Sequence, residues 1–155
     1  MRVLVMSDSH GNVDNMVRCV DMTAPDHVLH LGDCQRDAER LQQIFPQLPV
    51  TTVPGNCDYG SFDEPERLIE LGGKRILMMH GHTRAVKYDP QRAIYAAREF
   101  GADVLLFGHT HRPLVDYDGT LYVMNPGTVG GSGNPATYGV ITINDKTFDC
   151  ATYRL

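Results

Sequence analysis

Five short polar clusters punctuate this chain, and each follows an apolar, strand-like run: SDSHG at 7–11, LGDC at 31–34, PGNCD at 54–58, MHGH at 79–82 and FGHTH at 107–111. A strand that opens into a loop delivers its last side chains at the carboxyl edge of a sheet, where open α/β sheets gather their ligands. Any fold adopted by this sequence therefore has to bring several such edges together. Asp, His and Asn side chains collected there offer oxygen and imidazole donors suited to two divalent metals. That chemistry makes a metal-dependent hydrolase the first expectation.

The segments between the clusters predict the frame. RVLVM at 2–6 is β-branched and apolar, as a buried strand requires. Val13, Met16, Val17 and Val20 recur at helical spacing and share one face. Residues 27–31 and 50–53 read as further strands, separated by a helix that carries Ala38, Leu41 and Phe45, with Asp37 as its cap and Pro46 as its stop. Alternation of strand and helix favours parallel pairing. Beyond residue 60, strands at 67–71 and 75–79 flank Gly72-Gly73, the signature of a hairpin. Asp89-Pro90 opens a helix that Gly101 ends, with Ile94, Ala97, Ala93 and Phe100 along its apolar side. Residues 103–107 form another buried strand. From 113 onward the pattern reads as antiparallel: 114–117, a turn at Asp118-Gly119, then 121–124, 138–143 and 148–153. The loop GTVGGSGNP at 127–135 is the segment expected to be most mobile.

Composition restricts the classes. A chain of 155 residues, 42% hydrophobic, is expected to form one domain over 1–155 and to bury roughly 70% of its unfolded surface. A net charge of -5 argues against charge-driven binding to nucleic acid or to an anionic membrane, but bound metals would make one cleft locally positive whatever the balance. The N-terminal apolar run is too short for a signal core or a membrane span, so the chain reads as cytoplasmic. Its four cysteines, Cys19, Cys34, Cys57 and Cys150, contain no C-x-x-C pair and are expected as free thiols.

The ordered blocks D-x-H, GD, GN, H and GH-x-H resemble the calcineurin-like metallophosphoesterase superfamily across essentially the whole chain. The short length, the GNCD form and Asn125-Pro126-Gly127 are similar to its small bacterial and archaeal phosphodiesterase branch. The resemblance implies a four-layer α/β sandwich, two mixed β-sheets flanked by helices. It also implies a ligand scheme: Asp8, His10 and His111 on one metal, Asn56, His80 and His109 on the other, and Asp33 bridging. Mn²⁺ is the leading expectation, with Fe, Zn, Ni or Co suited to the same donors. The implied reaction is in-line attack on a phosphate ester by a hydroxide shared between two metals about 3.5–4 Å apart, with no covalent intermediate. Asp33, Asn56 and His10 would then be catalytic as well as ligating.

One position departs from the wider superfamily, where GN is followed by a histidine that helps protonate the leaving group. Here it is Cys57, followed by Asp58, which could orient the loop or His10. A thiol is a poor acid at neutral pH, which points to leaving groups that need little help, such as those of aryl phosphodiesters. His82 stands between contact with phosphate and a solvated loop histidine, and His27 and His30 read as structural. Ser7 and Ser9 read as loop-shaping hydroxyls, because no base or oxyanion motif accompanies them. A small phosphate diester is the favoured substrate. A phosphomonoesterase, a nucleotide hydrolase or nuclease, and a non-catalytic scaffold are the rivals. No basic, aromatic-interleaved stripe supports a nucleic-acid polymer. Members of the family often self-associate as homo-oligomers, although no feature of this sequence specifies an interface.

Overall fold

The computed structural model describes residues 1–131 and 133–155. Strands β1 (Arg2–Met6), β2 (His27–His30) and β3 (Val50–Thr52) are parallel neighbours, connected through helices α1 (Val13–Thr23) and α2 (Gln35–Ile44). After them come β4 (Glu66–Leu71), β5 (Lys74–Met79), α3 (Gln91–Glu99), β6 (Val104–Leu106), β7 (Leu114–Tyr117), β8 (Tyr122–Asn125), β9 (Thr137–Ile143) and β10 (Phe148–Arg154). They make two five-stranded sheets, ordered β10-β9-β1-β2-β3 and β4-β5-β6-β8-β7. Both sheets are mixed, as expected.

Alternation along the strands sorts the core into layers. Val3 and Val5 of β1 face inward and meet Ile76 and Met78 of β5 and Val104 and Leu106 of β6, which joins the two sheets. Leu4 and Met6 face the other way and pack on Met16, Cys19 and Val20 of α1 and Leu41 of α2. Leu77, Met79 and Leu105 take the corresponding outer face, under Ala93, Ala96 and Ala97 of α3. The result is a four-layer sandwich, helices–sheet–sheet–helix. Each fully buried Val, Leu or Met side chain in these layers contributes roughly 1.5–3 kcal/mol.

Several local expectations are corrected. Asp37 does not cap α2; it lies within the first turn, and the Gln35 amide at the helix start donates instead to Asp58 Oδ1 at 2.7 Å. Phe100 is 46% exposed, and Ala96 takes the place expected for it on the buried face of α3. The connection between β7 and β8 is a four-residue loop, because Tyr117 pairs with Tyr122. Asp118 organises that loop by accepting from the amides of Thr120 and Leu121, each at 2.9 Å. The C-terminal part is not wholly antiparallel, since β8 runs parallel to β6. A buried apolar run looks the same in either orientation. The hairpin at Gly72-Gly73 stands as expected, both glycines having positive φ (56° and 75°).

In the loop 127–135, residue 132 lies outside the described residues. The beginning of that loop is fixed rather than free: Thr128 and Val129 are fully buried, and the Val129 amide donates to the Ser7 carbonyl. All four cysteines are free thiols. Among the described residues no helix is long and apolar enough to cross a membrane.

Candidate metal centre

Parallel pairing places the carboxyl ends of β1, β2 and β3 along one edge, and those of β5 and β6 along the edge of the second sheet. Hydrogen bonds then tie the two edges together. His80 Nδ1 bonds the Leu31 carbonyl at 2.8 Å, and the His109 amide donates to Asp8 Oδ2 at 3.1 Å. All seven residues expected as ligands therefore meet in one place, although they span 8 to 111 in sequence.

Asp8 and Asp33 are 0% and 3% exposed. Among the described residues, the basic groups within 4.0 Å of their carboxylates are histidines: His111 and His10 at 3.0 and 3.9 Å from Asp8, and His10 and His80 at 3.9 and 3.5 Å from Asp33. Two buried carboxylates without a Lys or Arg partner are costly unless a cation joins them. The two oxygens of Asp33 face different neighbours. Oδ2 looks toward His10, whereas Oδ1 looks toward His80 and accepts the Cys57 amide at 2.9 Å. Burial raises the Asp33 carboxyl, but His80, hydrogen bonds from Cys57 and the nearby His10 outweigh it and hold the group below the usual carboxylate value.

The donor set itself fits metal. With Nδ1 donating to Leu31, a neutral His80 has only a lone pair at Nε2, yet Nε2 lies 3.0 Å from Asn56 Oδ1 and 3.0 Å from His109 Nδ1. The Asn56 oxygen and the His80 nitrogen are both acceptors, and a cation between such atoms resolves the conflict. His109 is lowered to about 4, by burial first and then by His80 and Lys87, so its imidazole is neutral at physiological pH, the form that coordinates metal. Donor atoms of Asp8, His10 and His111 lie within 4.8 Å of one another, as do those of Asp8, Asp33 and His80.

Backbone conformation concentrates here as well. Of the eight non-glycine residues with positive φ among those described, five are Asp8, His10, Asp33, His109 and His111, and a sixth is Cys34. Each such residue costs of order 1–3 kcal/mol, and strain of this kind clusters at functional sites. Glycines at neighbouring positions let the loops touch. A Cβ on Gly32 would lie 2.5 Å from the Gly55 nitrogen, so the GD and GN loops pack backbone against backbone.

A buried relay supports the D-x-H loop, and its members were not singled out as a unit by sequence. His30 Nδ1 accepts from the Gly32 amide at 3.3 Å, which leaves Nε2–H to donate to Ser9 Oγ at 3.1 Å. Ser9 Oγ donates to Asp37 Oδ2 at 2.7 Å, and the Gly11 amide donates to the same oxygen at 2.7 Å. Burial lowers His30 to about 4 against the opposing charges of Asp8, Asp58 and Asp37, so it acts as a neutral strut. The sequence signals were the polar His30 in an otherwise apolar strand and the hydroxyl of Ser9 within the D-x-H loop. Ser7 Oγ donates to Asp8 Oδ2 at 2.5 Å, and Thr128 Oγ1 donates to the Asp8 carbonyl at 2.8 Å. The Asn125 side chain of the NPG turn donates to the Gly108 carbonyl at 2.9 Å, which places that turn behind the GHTH loop.

Cys57 is exposed, with Sγ within 4.8 Å of donor atoms of His10 and Asp33. Desolvation, followed by its hydrogen bond to Asp33, pushes the thiol up to about 11. Asp58 contacts loop backbone: Oδ2 accepts the Gly55 amide at 2.8 Å, and Oδ1 caps α2. That is the loop-orienting role, not a bond to His10. His82 lies beside His80 with ring centroids 5.5 Å apart, and its buried Nδ1 has no hydrogen-bond partner among the described residues.

Residues 1–146 match the family model of the calcineurin-like phosphoesterase superfamily domain. The chain belongs to this superfamily. It is 31% identical to the probable metallophosphoesterase YsnB of Bacillus subtilis (strain 168), over 99% of this chain and 89% of that protein. It is 27% identical to the phosphodiesterase YfcE of Escherichia coli (strain K12), over 95% of each chain. The crystal structure of a predicted phosphoesterase from Streptococcus pneumoniae TIGR4 superposes with a TM-score of 0.82 at 28% identity, covering 99% of this chain and 88% of that one. The four-layer sandwich is thus the superfamily fold, and metal binding and phosphoester hydrolysis are its chemistry.

Proposed function

We propose that the chain is a dimetal-dependent phosphodiesterase acting on small phosphate diesters, with residues 1–155 forming one catalytic domain in the cytoplasm. The carrying observation is Asp33, whose two oxygens face separate donor groups across the site. In this reading Asp8, His10 and His111 hold one cation, Asn56, His80 and His109 hold the other, and Asp33 bridges them. Mn²⁺ suits this mixed nitrogen and oxygen set. When bound, two such ions supply an acidified water and neutralise charge that builds at phosphorus.

The remaining chemistry belongs to the protein. Asn56 contributes a neutral oxygen, so only two carboxylates enter the donor set and the cations stay electrophilic. Cys57 occupies the position of the superfamily's leaving-group acid, and a thiol near 11 stays protonated but transfers its proton poorly at neutral pH. The alcohol must therefore depart with little assistance, which favours aryl and other acidic leaving groups. Asp58 holds the loop that carries Asn56 and Cys57 against α2. The name of the YfcE relative supports the choice of a diester over a monoester.

A substrate panel tests the reading. With added Mn²⁺, bis(p-nitrophenyl) phosphate should be hydrolysed with at least about tenfold higher kcat/KM than p-nitrophenyl phosphate, while single-stranded DNA stays intact; EDTA should abolish turnover. A monoester preference, or turnover that persists in EDTA, would contradict it.

A further inference from the structure

From His10 and Cys57 at the candidate metal centre, an open cleft of about 950 Å³ runs between α2 and the 57–63 loop. Its lining includes Tyr59 and Phe62, which are 92% and 103% exposed. Both aromatic side chains stand in water on the loop that also delivers Asn56, and no described residue covers either. Large aromatic surface is ordinarily buried, and where it lines a concavity beside a reaction centre it is available to a ligand.

Charge narrows what that ligand can be. Asp37, Glu39, Asp58 and Asp63 line the cleft against only two guanidiniums, those of Arg36 and Arg40. A phosphate monoester at neutral pH carries close to two negative charges, whereas a diester carries one. The acidic surplus disfavours the dianion. The diester's second organic group gives the aromatic wall something to hold, and the volume is that of a small-molecule site.

We infer that Tyr59 and Phe62 form a subsite for a planar aromatic ester group of a phosphate diester whose phosphoryl group sits at the metal centre. This deepens the proposed function and rests on it. Stacking and edge contacts between the substrate ring and these two side chains select aryl over alkyl diesters.

Calorimetric titration of the Mn²⁺-loaded protein with diphenylphosphinate and with dimethylphosphinate, monoanions whose P–C bonds are not hydrolysed, tests the subsite. Wild type is expected to bind diphenylphosphinate about tenfold more tightly than dimethylphosphinate. In the double variant Tyr59→Ala/Phe62→Ala the ratio should fall to about twofold or less, with Mn²⁺ affinity unchanged. Both side chains are exposed, so their removal opens no cavity in the core. Equal affinities in wild type, or a ratio retained by the double variant, would overturn the inference. Discrimination by a wild type that hydrolyses no diester would support the subsite and sink the catalytic reading, so the two failures are distinguishable.

Discussion

Replacing Asp33 with alanine is expected to lower metal-dependent diester hydrolysis by at least about 10³-fold while leaving the fold intact. The size follows from its position. Asp33 is the residue that faces both His10 and His80, so its loss removes a ligand from each half of the centre at once. The cost to the metal-free fold is small for the same reason. Asp33 has no Lys or Arg partner among the described residues, and the main interaction forfeited is the Cys57 amide bond to Oδ1, about 1 kcal/mol. Removing one of two adjacent buried carboxylates also relieves repulsion. Thermal melts in EDTA should therefore agree between wild type and variant within a few degrees, while kcat/KM in Mn²⁺ collapses. Hydrolysis at the wild-type rate would remove Asp33 from the bridging role. A rate that falls together with loss of the folded state would show that the carboxylate is structural.

Gly55→Ala should damage the same centre by geometry alone. A methyl group at this position falls on Asp33 Oδ1 and the Asp33 amide, and lies 3.0 Å from Asp33 Cγ. Gly55 has no positive φ, so the penalty is collision and not backbone conformation. Neither loop can yield easily, because Gly32 also packs against Gly55 and Asp58 holds the Gly55 amide. Overpacking of this kind costs roughly 1–3 kcal/mol. A carboxylate displaced by about an ångström costs on the order of 10²-fold in rate. The expected phenotype is a lowered melting temperature with kcat/KM reduced at least about 10²-fold, which separates it from Asp33→Ala. Wild-type activity in Gly55→Ala would mean that the GN and GD loops do not set the position of the bridging group.

The residues that meet at the centre were legible in the sequence because their chemistry is written in their types. Asp8, His10, Asp33, Asn56, His80, His109 and His111 each follow an apolar run, and parallel pairing brings such positions to one edge of each sheet. The frame was legible for a similar reason: β1, α1 and the Gly72-Gly73 hairpin depend on local periodicity and turn chemistry. What failed depended on partners distant in sequence. Asp37 looked like the cap of α2, but Asp58 from another loop occupies that role and frees Asp37 to hold Ser9 and Gly11. The orientation of β8 could not be read from its own residues, since β6 decides it. The left-handed backbone at five of the seven donors was equally hidden, because Asp and His, although enriched at positive φ, adopt it at only a small minority of positions.

The relay from His30 through Ser9 to Asp37 explains why a loop of polar residues can be rigid. Every member is buried, and each hydrogen bond is made within the protein. A metal site needs such supporting contacts to hold donors in place before the ion arrives. Here that support comes from residues with no ligand role.

The central claim is that one bridging carboxylate organises two cations. Anomalous diffraction from crystals grown with Mn²⁺ tests it most directly. Two manganese peaks should appear per chain, one beside Asp8, His10 and His111, the other beside Asn56, His80 and His109, with Asp33 touching both. A single peak, or two peaks of which only one contacts Asp33, would contradict the account.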